Sequence, residues 1–401
     1  MGKTIELHKR WKDDPSKGEV FTPESLVKEM LDKIPTSVWE NPTSTFLDPC
    51  MGKGTFLIDI LRRLTTIYGY SKEDAMSRIY GYDTRVKYIN YLKRGGFVKV
   101  FHKDFLNENI DVKFDVVIGN PPYQENGSNG KSKGGGKGGD KNLYSKFIYK
   151  SNTLLSSGGI MMYLTPPAIF SPKNKNKEVL LSNDNNLEMV KFFEENPFPN
   201  VSTNVCYFIL KKTKKTTTKF ITNDGFIEIE LDNNVILPSV FNHITISIFN
   251  KFFNNEFESF DFKRDCSLHT QNSDWFSNTQ VGDFVYPVFS GSKIKFTNRV
   301  PNNITIQKVV VSRSGYYKPI LDNGQIGTTE TNFYVESDNL EGVFNTLTHP
   351  LYKFVVNMSK FNGFIHQQVL KSLPNPGNVN NIFDVFNITT TEKDYILKNV
   401  R

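Results

Sequence analysis

Hydrophobic and polar positions follow two different periods in the first half of the chain. Short apolar runs have the composition of β-strands, and segments with helical spacing, such as 56–64, lie between most of them. The strand-like runs are 44–48, 78–82, 98–101, 114–119 and 159–164. Strands that alternate with helices are typical of a mainly parallel, doubly wound sheet. The pattern therefore predicts an α/β fold for this half.

A helix is predicted close to the start of this half. Apolar residues recur at helical spacing from Leu26 to Leu31, and the pair Thr22-Pro23 precedes them. Threonine is a favoured N-cap residue, and proline is favoured at the first helical position. We therefore expect Thr22 to cap this helix and Pro23 to begin it.

The composition changes after a run of lysine and threonine at 211–219. Beyond it the chain is rich in Asn, Phe, Val and Thr, and one helical pattern runs from about 350 to 361. Strand-like runs in this half lie at 226–231, 304–306 and 308–311. These features predict two domains, 1–215 and 216–401, of which the second has an α+β fold.

The stretch 124–142 contains seven glycines and four lysines and interrupts the strand and helix pattern. It offers no apolar face for burial, so we predict a flexible loop. Two interpretations stay open, an inert insertion or a lysine-bearing flap that binds a phosphate backbone.

Composition and charge narrow the class of protein. The chain has 401 residues with 38% hydrophobic and 23% charged side chains, which is typical of a soluble globular protein. Three cysteines do not make a disulfide framework, and neither a secretory signal nor an apolar run of membrane-spanning length is visible. We therefore expect a cytoplasmic protein without a membrane partner. The net charge of +7 is compatible with a polyanionic partner, although the signal is weak.

Candidate chemistry begins where the first predicted strand ends. Asp48 and Pro49 lead into a turn that contains Gly52 and Gly54, and such a turn lets a ligand approach the backbone. The third glycine of the dinucleotide fingerprint is absent, and Asp48 would repel a pyrophosphate. A ligand with a cationic end fits better. Taken alone, the segment is also explained by an ordinary turn.

The next two strand ends carry further acidic residues. Asp83 is suited to hydrogen bonding with ribose hydroxyls, and Asp104 can accept from an adenine amino group while the Phe105 ring packs on its face. Each acid alone is also explained as a helix cap. Together with a cationic end, the three segments fit S-adenosylmethionine, which has a sulfonium, an ammonium, a ribose and an adenine.

The segment that decides between these interpretations follows the strand at 114–119. It reads Asn120-Pro121-Pro122-Tyr123, and the prolines fix the backbone. The Asn120 side chain and the Pro121 carbonyl are both acceptors, so they can take both hydrogens of a planar NH2 group, while Tyr123 offers a ring for stacking. Asn-Pro is also a common turn.

In this order of segments the chain resembles the gamma-class adenine-N6 DNA methyltransferases of restriction-modification systems. The resemblance implies the class I fold of S-adenosylmethionine-dependent methyltransferases, a doubly wound mixed sheet, in residues 1–215, and a C-terminal α+β target-recognition domain that binds double-stranded DNA. It implies catalytic roles for Asn120, Pro121 and Tyr123. The cofactor contacts that it implies are Thr22, Asp48, Pro49, Gly52, Gly54, Asp83, Asp104, Phe105 and Asn120.

The resemblance extends, less specifically, into two later regions. Phe198 matches the family's aromatic residue that packs on the flipped base, although Phe192 and Phe193 lie nearby. In the second half, Arg313 and Lys318 are candidates for DNA contact, in a stretch that also contains Tyr316 and Tyr317. An ordinary solvated loop explains that stretch equally well.

The family implies site-specific methyl transfer to N6 of a flipped-out adenine, without a metal. A cognate restriction endonuclease is a partner that it suggests. Two alternatives keep the reaction and change the substrate, namely RNA adenine and the amide of a protein glutamine, because these also present an NH2 group. A third alternative is a DNA-binding subunit without catalytic activity.

Overall fold

The computed structural model describes residues 20–123, 142–172, 174–193, 195–198, 204–223, 225–361 and 364–400. The flexible loop predicted at 124–142 therefore lies, except for Asn142, outside the described residues. Two compact units divide the chain. The first consists of Met1–Ile169 and Asn174–Asn233, and the second of Phe170–Lys173 and Asn234–Arg401.

Within the described residues, the first unit contains one nine-stranded sheet with the order β3-β2-β1-β4-β5-β7-β6-β8-β9. Neighbouring strands from β3 through β5 are parallel, whereas β7 is antiparallel to β5 and to β6. The strands are β1 Phe46–Asp48, β2 Ile79–Asp83, β3 Lys99–His102, β4 Phe114–Gly119, β5 Leu155–Thr165, β6 Asn186–Phe192, β7 Cys206–Lys211, β8 Thr218–Thr222 and β9 Gly225–Ile229.

Helices alternate with these strands, as the sequence pattern predicts. They are α1 Glu24–Leu31, α2 Thr36–Glu40, α3 Thr55–Thr66, α4 Lys72–Ser77, α5 Val86–Arg94, α6 Leu143–Leu154 and α7 Lys177–Leu180. In α3 the apolar residues Leu57, Ile60 and Leu64 recur at helical spacing and are fully buried. They belong to a cluster with β1 and β4 residues such as Phe46 and Val116, which forms the core against which the site is built.

Five strands predicted in the first half are confirmed, with end shifts of a few residues. The prediction that Thr22 caps the first helix is wrong by one residue. Pro23 occupies the N-cap position with an extended ψ of 143°, and its carbonyl accepts from the backbone N–H of Val27 at 3.0 Å. Because an N-cap residue has non-helical dihedrals and accepts the first helical bond, Pro23 takes that role.

The first unit extends beyond the domain boundary predicted at 215. The polar run that suggested a linker leads into β8, which pairs in parallel with β6 and antiparallel with β9. In β8 the side chains of Thr218 and Phe220 are buried while Lys219 is exposed. This alternation places one face of a polar-looking strand on the core.

The second unit has an α+β composition, as predicted. Its strands are β10 Phe276–Ser277, β11 Tyr286–Ser290, β12 Lys293–Thr297, β13 Gln307–Ser312, β14 Ile320–Asn323, β15 Gly327–Thr328 and β16 Asn332–Val335. Its helices are α8 His243–Phe253, α9 Leu340–Thr348, α10 Pro350–Met358, α11 Gln367–Lys371, α12 Ile382–Val385 and α13 Thr390–Asn399. The described strands form two small sheets, β10-β12-β11-β15 and β14-β13-β16.

The predictions for this half are partly confirmed. The strand at 308–311 lies in β13 and the helix from 350 corresponds to α10. The strand predicted at 304–306 is wrong, since these residues form a turn in which Ile306 N–H donates to Asn303 O. The buried Asn303 side chain exchanges two hydrogen bonds with Thr328, and these bonds fix the turn. Within the described residues, no helix is both long and apolar enough to span a membrane.

Candidate active site

The parallel sheet brings the predicted segments to one edge. Asp48 is the last residue of β1 and Asp83 the last residue of β2, while Asp104 follows β3 and Asn120 follows β4. The strand order β3-β2-β1-β4 makes these four strand ends consecutive neighbours. Ligands of open α/β sheets bind at this edge, outside the carboxyl ends of the strands.

The glycine turn after β1 is bonded to the end of β2. The backbone N–H of Gly52 donates to Asp83 Oδ2 at 2.9 Å, and the N–H of Arg85 donates to Oδ1 at 2.8 Å. Gly54 has a φ of +80°, and a Cβ placed there would lie 2.6 Å from Leu92 Cδ2. The backbone conformation and the close approach both require glycine at this position. The first two predicted segments therefore form one connected structure.

Asp48 is the most deeply buried acid of the site, with 2% of its surface exposed. Its Oδ1 accepts from the backbone N–H of Cys50 at 3.0 Å, and the Cys50 side chain also forms a hydrogen bond with the carboxyl. The pKa of Asp48 is raised to about 7, mainly by burial and also by the charge of Asp83, while the hydrogen bonds from Cys50 lower it. A buried carboxyl in this condition is suited to a cationic partner.

The backbone that leads into the 120–123 turn lies directly against Asp48. A Cβ placed on Gly119 would lie 2.9 Å from Asp48 Oδ1 and 3.3 Å from Cys50 Sγ, so only glycine permits this approach. The backbone N–H of Asn120 interacts with the Cys50 thiol, whose pKa is nevertheless raised well above its usual value by burial and by the charge of Asp48. Cys50 therefore stays protonated and is not suited to act as a nucleophile.

Two further positions of the turn are partly or fully enclosed. Pro121 is buried and Tyr123 is half-buried. The Tyr123 carbonyl accepts from the N–H of Leu143 at 3.2 Å, and its ring meets the edge of Tyr144 at a centroid distance of 6.3 Å. Burial raises the pKa of the Tyr123 phenol above its usual value, so the ring is neutral. The first turn of α6 thus holds the end of the 120–123 turn.

Asp104 opens a short turn, residues 104–108, which we call the Asp104 turn. The Asp104 side chain is exposed, and its two oxygens accept from the backbone N–H of Leu106 at 3.0 Å and from Asn107 Nδ2 at 2.7 Å. A cavity of about 620 Å³ lies beside the turn. Its lining residues are Asp104, Leu106, Asn107, Leu143, Lys146, Tyr149 and Lys150.

The Phe105 ring lies inside the protein. It is 1% exposed and stacks on Phe147 of α6 at a centroid distance of 5.5 Å. Of the predicted adenine-binding pair, Asp104 lines the cavity while Phe105 packs behind the turn. The ring therefore supports the turn, and its predicted contact with a ligand stays a prediction.

Thr22 lies in the segment beside the glycine turn. Its side chain is buried, and the ring of the preceding Phe21 lies 3.7 Å from a Cβ placed on Gly52. The structure thus brings the N-terminal segment to the same end of the site as Asp48. A cofactor contact of Thr22 stays a prediction.

The aromatic residues proposed for the base are both packed against one apolar cluster. Phe198 is 3% exposed and belongs to the core cluster, against which the half-buried Tyr123 and Phe193 also pack. The two predicted partners therefore lie in one region, but as placed the Phe198 ring has almost no accessible face. Its predicted stacking on a base requires the ring to become uncovered.

The DNA-contact candidates of the second unit divide by exposure. Arg313, Tyr316 and Lys318 are exposed, and the guanidinium of Arg313 lies 5.8 Å from the Phe364 ring. Tyr317 is buried in the core of its unit.

The sequence analysis did not predict two residues that shape the site. One is Gly119, which could have been found as the residue directly before Asn120. The other is Lys150, for which the local sequence gives no signal.

The strand order β3-β2-β1-β4-β5-β7-β6, with β7 reversed, and the acids at the ends of consecutive strands define a class I S-adenosylmethionine-dependent methyltransferase fold. The fold class predicted from the sequence is confirmed. A DNA complex of the type IIL restriction-modification enzyme MmeI has the same fold, with a TM-score of 0.57, 9% identity and coverage of 93% of this chain and 70% of that chain.

Residues 63–198 match the model of the Eco57I restriction-modification methylase family. This match lies within the first unit, and the resemblance to restriction-modification methylases seen in the sequence is confirmed. Modification methylase CviBIII of Paramecium bursaria Chlorella virus NC1A is 27% identical over 51% of this chain and 52% of that protein. Type II methyltransferase M.VspI of Vibrio sp. (strain 343) is 28% identical over 38% of each chain.

The chain thus spans about half or less of the length of these two curated relatives. The comparisons indicate S-adenosylmethionine as the cofactor. The residues present fit it, because a buried acid with a raised pKa lies against the closely approaching backbone of Gly119, where a cationic ligand would bind. Within the described residues, no group of three His, Cys, Asp or Glu side chains that could hold a metal ion is found.

Proposed function

We propose that this protein is a site-specific DNA methyltransferase that transfers a methyl group from S-adenosylmethionine to N6 of adenine. The observation that carries the proposal is the contact between Asp48 and Gly119, which joins the cationic-ligand end of the site to the Asn120 turn. A methyl donor held by Asp48 and an amine held by Asn120 would then be neighbours. The relatives named above, a modification methylase and a type II methyltransferase, support the same reaction.

The cofactor would be held along the sheet edge from β1 to β3. Asp48 and the turn through Pro49, Gly52 and Gly54 would hold the methionine end, and Asp83 would bind the ribose hydroxyls. Asp104 would accept from the adenine amino group. When bound, S-adenosylmethionine supplies a methyl group on a positively charged sulfur.

The chain's own part in the chemistry is to orient an amine. The N6 lone pair of adenine is delocalised into the ring, which makes the nitrogen a poor nucleophile. Hydrogen bonds from its two protons to Asn120 Oδ1 and to the Pro121 carbonyl would favour a tetrahedral nitrogen and localise the lone pair. Positioning and preorganised acceptors therefore supply the rate enhancement, and no covalent intermediate on the protein is needed.

The substrate proposed is double-stranded DNA with the target adenine turned out of the helix, because N6 is not accessible to such a site inside the stack. Tyr123 and Phe198 would grip the base, with stacking worth about 1–3 kcal/mol per base. The second unit would recognise the target sequence, with Arg313 and Lys318 as candidate contacts. The family suggests a restriction endonuclease of the same specificity as a partner, in the cytoplasm of a bacterial or phage-infected cell.

The test is incubation with S-adenosylmethionine labelled in the methyl group and with separate pools of DNA, RNA and protein. We expect label in double-stranded DNA, recovered as N6-methyladenine after digestion to nucleosides. Label recovered in RNA adenine or in glutamine amide would replace the substrate with one of the alternatives, and no label in any pool would contradict the proposed reaction.

A further inference from the structure

Helix α6 contacts the Asp104 turn through two side chains. Phe147 stacks on Phe105, and Lys150 lies one helical turn further along. Residues three apart on a helix lie on the same face, so both side chains reach the same turn. Helix α6 therefore contacts the Asp104 turn in addition to Tyr123.

Lys150 forms hydrogen bonds with two backbone carbonyls of the Asp104 turn. Its Nζ donates to the backbone carbonyl of Phe105 and, at 2.5 Å, to that of Glu108. The ammonium also lies 4.9 Å from the centroid of the Phe105 ring. Bonds to these two carbonyls span the Asp104 turn, so Lys150 fixes its conformation from outside. Hydrogen bonds from a charged donor are stronger than those between neutral groups.

We propose that Lys150 is a positioning residue for the adenine subsite, which holds the Asp104 turn where Asp104 can accept from an adenine amino group. This inference rests on the proposed function, since it takes the cavity beside Asp104 as the place of the cofactor adenine. Asp104 itself is exposed, and its carboxylate accepts hydrogen bonds from Leu106 and Asn107 of its own turn. The position of its carboxylate relative to the cavity therefore depends on what holds the turn.

The same helix links two parts of the site. The N–H of Leu143, the first residue of α6, donates to the carbonyl of Tyr123, and Lys150 lies seven residues, or about 10 Å, further along. A rigid helix that is bonded at both points relates the position of the adenine subsite to that of the catalytic turn. Lys150 acts through Asp104, and no contact with reacting atoms is assigned to it.

The experiment compares Lys150→Met, which keeps the apolar stem and removes the donors, with Lys113→Met. Lys113 is a matched control because its Nζ also donates to a backbone carbonyl, that of Thr153 in α6 at 2.5 Å, and not to a carbonyl of the Asp104 turn. Calorimetry measures the dissociation constants of S-adenosylhomocysteine and S-inosylhomocysteine on the full chain. The second ligand has an oxygen in place of the amino group that Asp104 would accept from.

We expect the wild type to prefer the adenosyl ligand and Lys150→Met to reduce that preference about fivefold or more, with kcat at saturating cofactor changed less than about twofold. Lys113→Met should keep the wild-type preference. An unchanged preference in Lys150→Met, or an equal loss in Lys113→Met, would overturn the inference. If the melting temperature of Lys150→Met is lower than that of the wild type, the preference for the adenosyl over the inosyl ligand is measured on Lys150→Gln, with the same expected result. A wild type that binds neither ligand would instead contradict the proposed function.

Discussion

The two ends of the candidate cofactor site are built in opposite ways. At one end, Asp48 and Asp83 are buried, and a backbone N–H of the glycine turn donates to Asp83. At the other end, Asp104 is exposed and, within the described residues, accepts from its own turn, which Lys150 holds from a separate helix. The first end is rigid because the strands that carry it are neighbours in the core. The second depends on a contact between elements that are distant in sequence.

Because of this difference, ligand binding should depend on charge at the Asp48 end and on side-chain position at the Asp104 end. A buried carboxyl without a cation is costly to ionise, so the Asp48 end should respond to pH and to charge. An exposed carboxylate is already solvated, so the Asp104 end should respond mainly to geometry. The Asn120 turn follows β4, beside the Asp48 end, and changes to its side chain should leave both acidic ends intact.

The largest expected effect is at the Asn120 turn. Asn120→Ala removes one acceptor from the amine without touching either acidic end, so kcat should fall on the order of 10²- to 10³-fold, as for loss of one preorganised hydrogen-bonding group. Affinity for S-adenosylhomocysteine should change less than about threefold. Single-turnover methylation and calorimetry measure the two quantities, with the exposed Asn90→Ala as control. Wild-type turnover in Asn120→Ala would remove Asn120 from the mechanism.

A smaller effect is expected from the charge of Asp48. Asp48→Asn keeps the shape of the side chain and removes its charge, so affinity for S-adenosylmethionine at pH 8 should fall about 10- to 100-fold. In the wild type the free protein holds a proton on Asp48 below its pKa of about 7, and a cationic ligand must displace it. Affinity should therefore fall as pH decreases from 7 to 5, by up to about tenfold per unit.

The control is Asp111→Asn, which removes an exposed acid of the same unit. It should retain both the affinity and the pH dependence of the wild type. A wild-type pH profile in Asp48→Asn would show that another group binds the cation.

Asp48→Asn should lower ligand affinity but raise the stability of the ligand-free protein. The folded-state pKa of Asp48, about 7, lies above its ordinary value of 3.8, so ionisation costs stability progressively as pH rises between these values. The difference of about 3 pKa units corresponds to at most about 4 kcal/mol. We expect Asp48→Asn without ligand to be more stable than the wild type by about 2 kcal/mol at pH 8 and no more stable at pH 4.

Urea unfolding at the two pH values measures this stability difference. A variant that is less stable than the wild type at pH 8 would mean that the Asp48 carboxylate is satisfied in the ligand-free protein.

The Asp48 end of the site was predictable from the sequence, whereas the Asp104 end was predictable only in part. Because β1, β2 and β4 are apolar runs followed by Asp48, Asp83 and Asn120, a parallel sheet necessarily brings these residues to one edge. The part played by Lys150 has no local signal, since it arises from the packing of α6 on a turn more than forty residues away. Burial was also not visible locally, as the enclosed rings of Phe105 and Phe198 show.

The smallest effect is expected at Asp104, and it separates the two ends most directly. Asp104→Asn keeps an oxygen that can accept from Leu106 N–H but removes the charge and one acceptor, so affinity for S-adenosylhomocysteine should fall about 2- to 10-fold, the worth of one exposed hydrogen bond. Unlike Asp48→Asn, it should leave the pH dependence of binding between 5 and 7 unchanged, because the titrating carboxyl is at the other end. Calorimetry across this range tests both points, and a lost pH dependence in Asp104→Asn would mean that the two ends titrate as one unit.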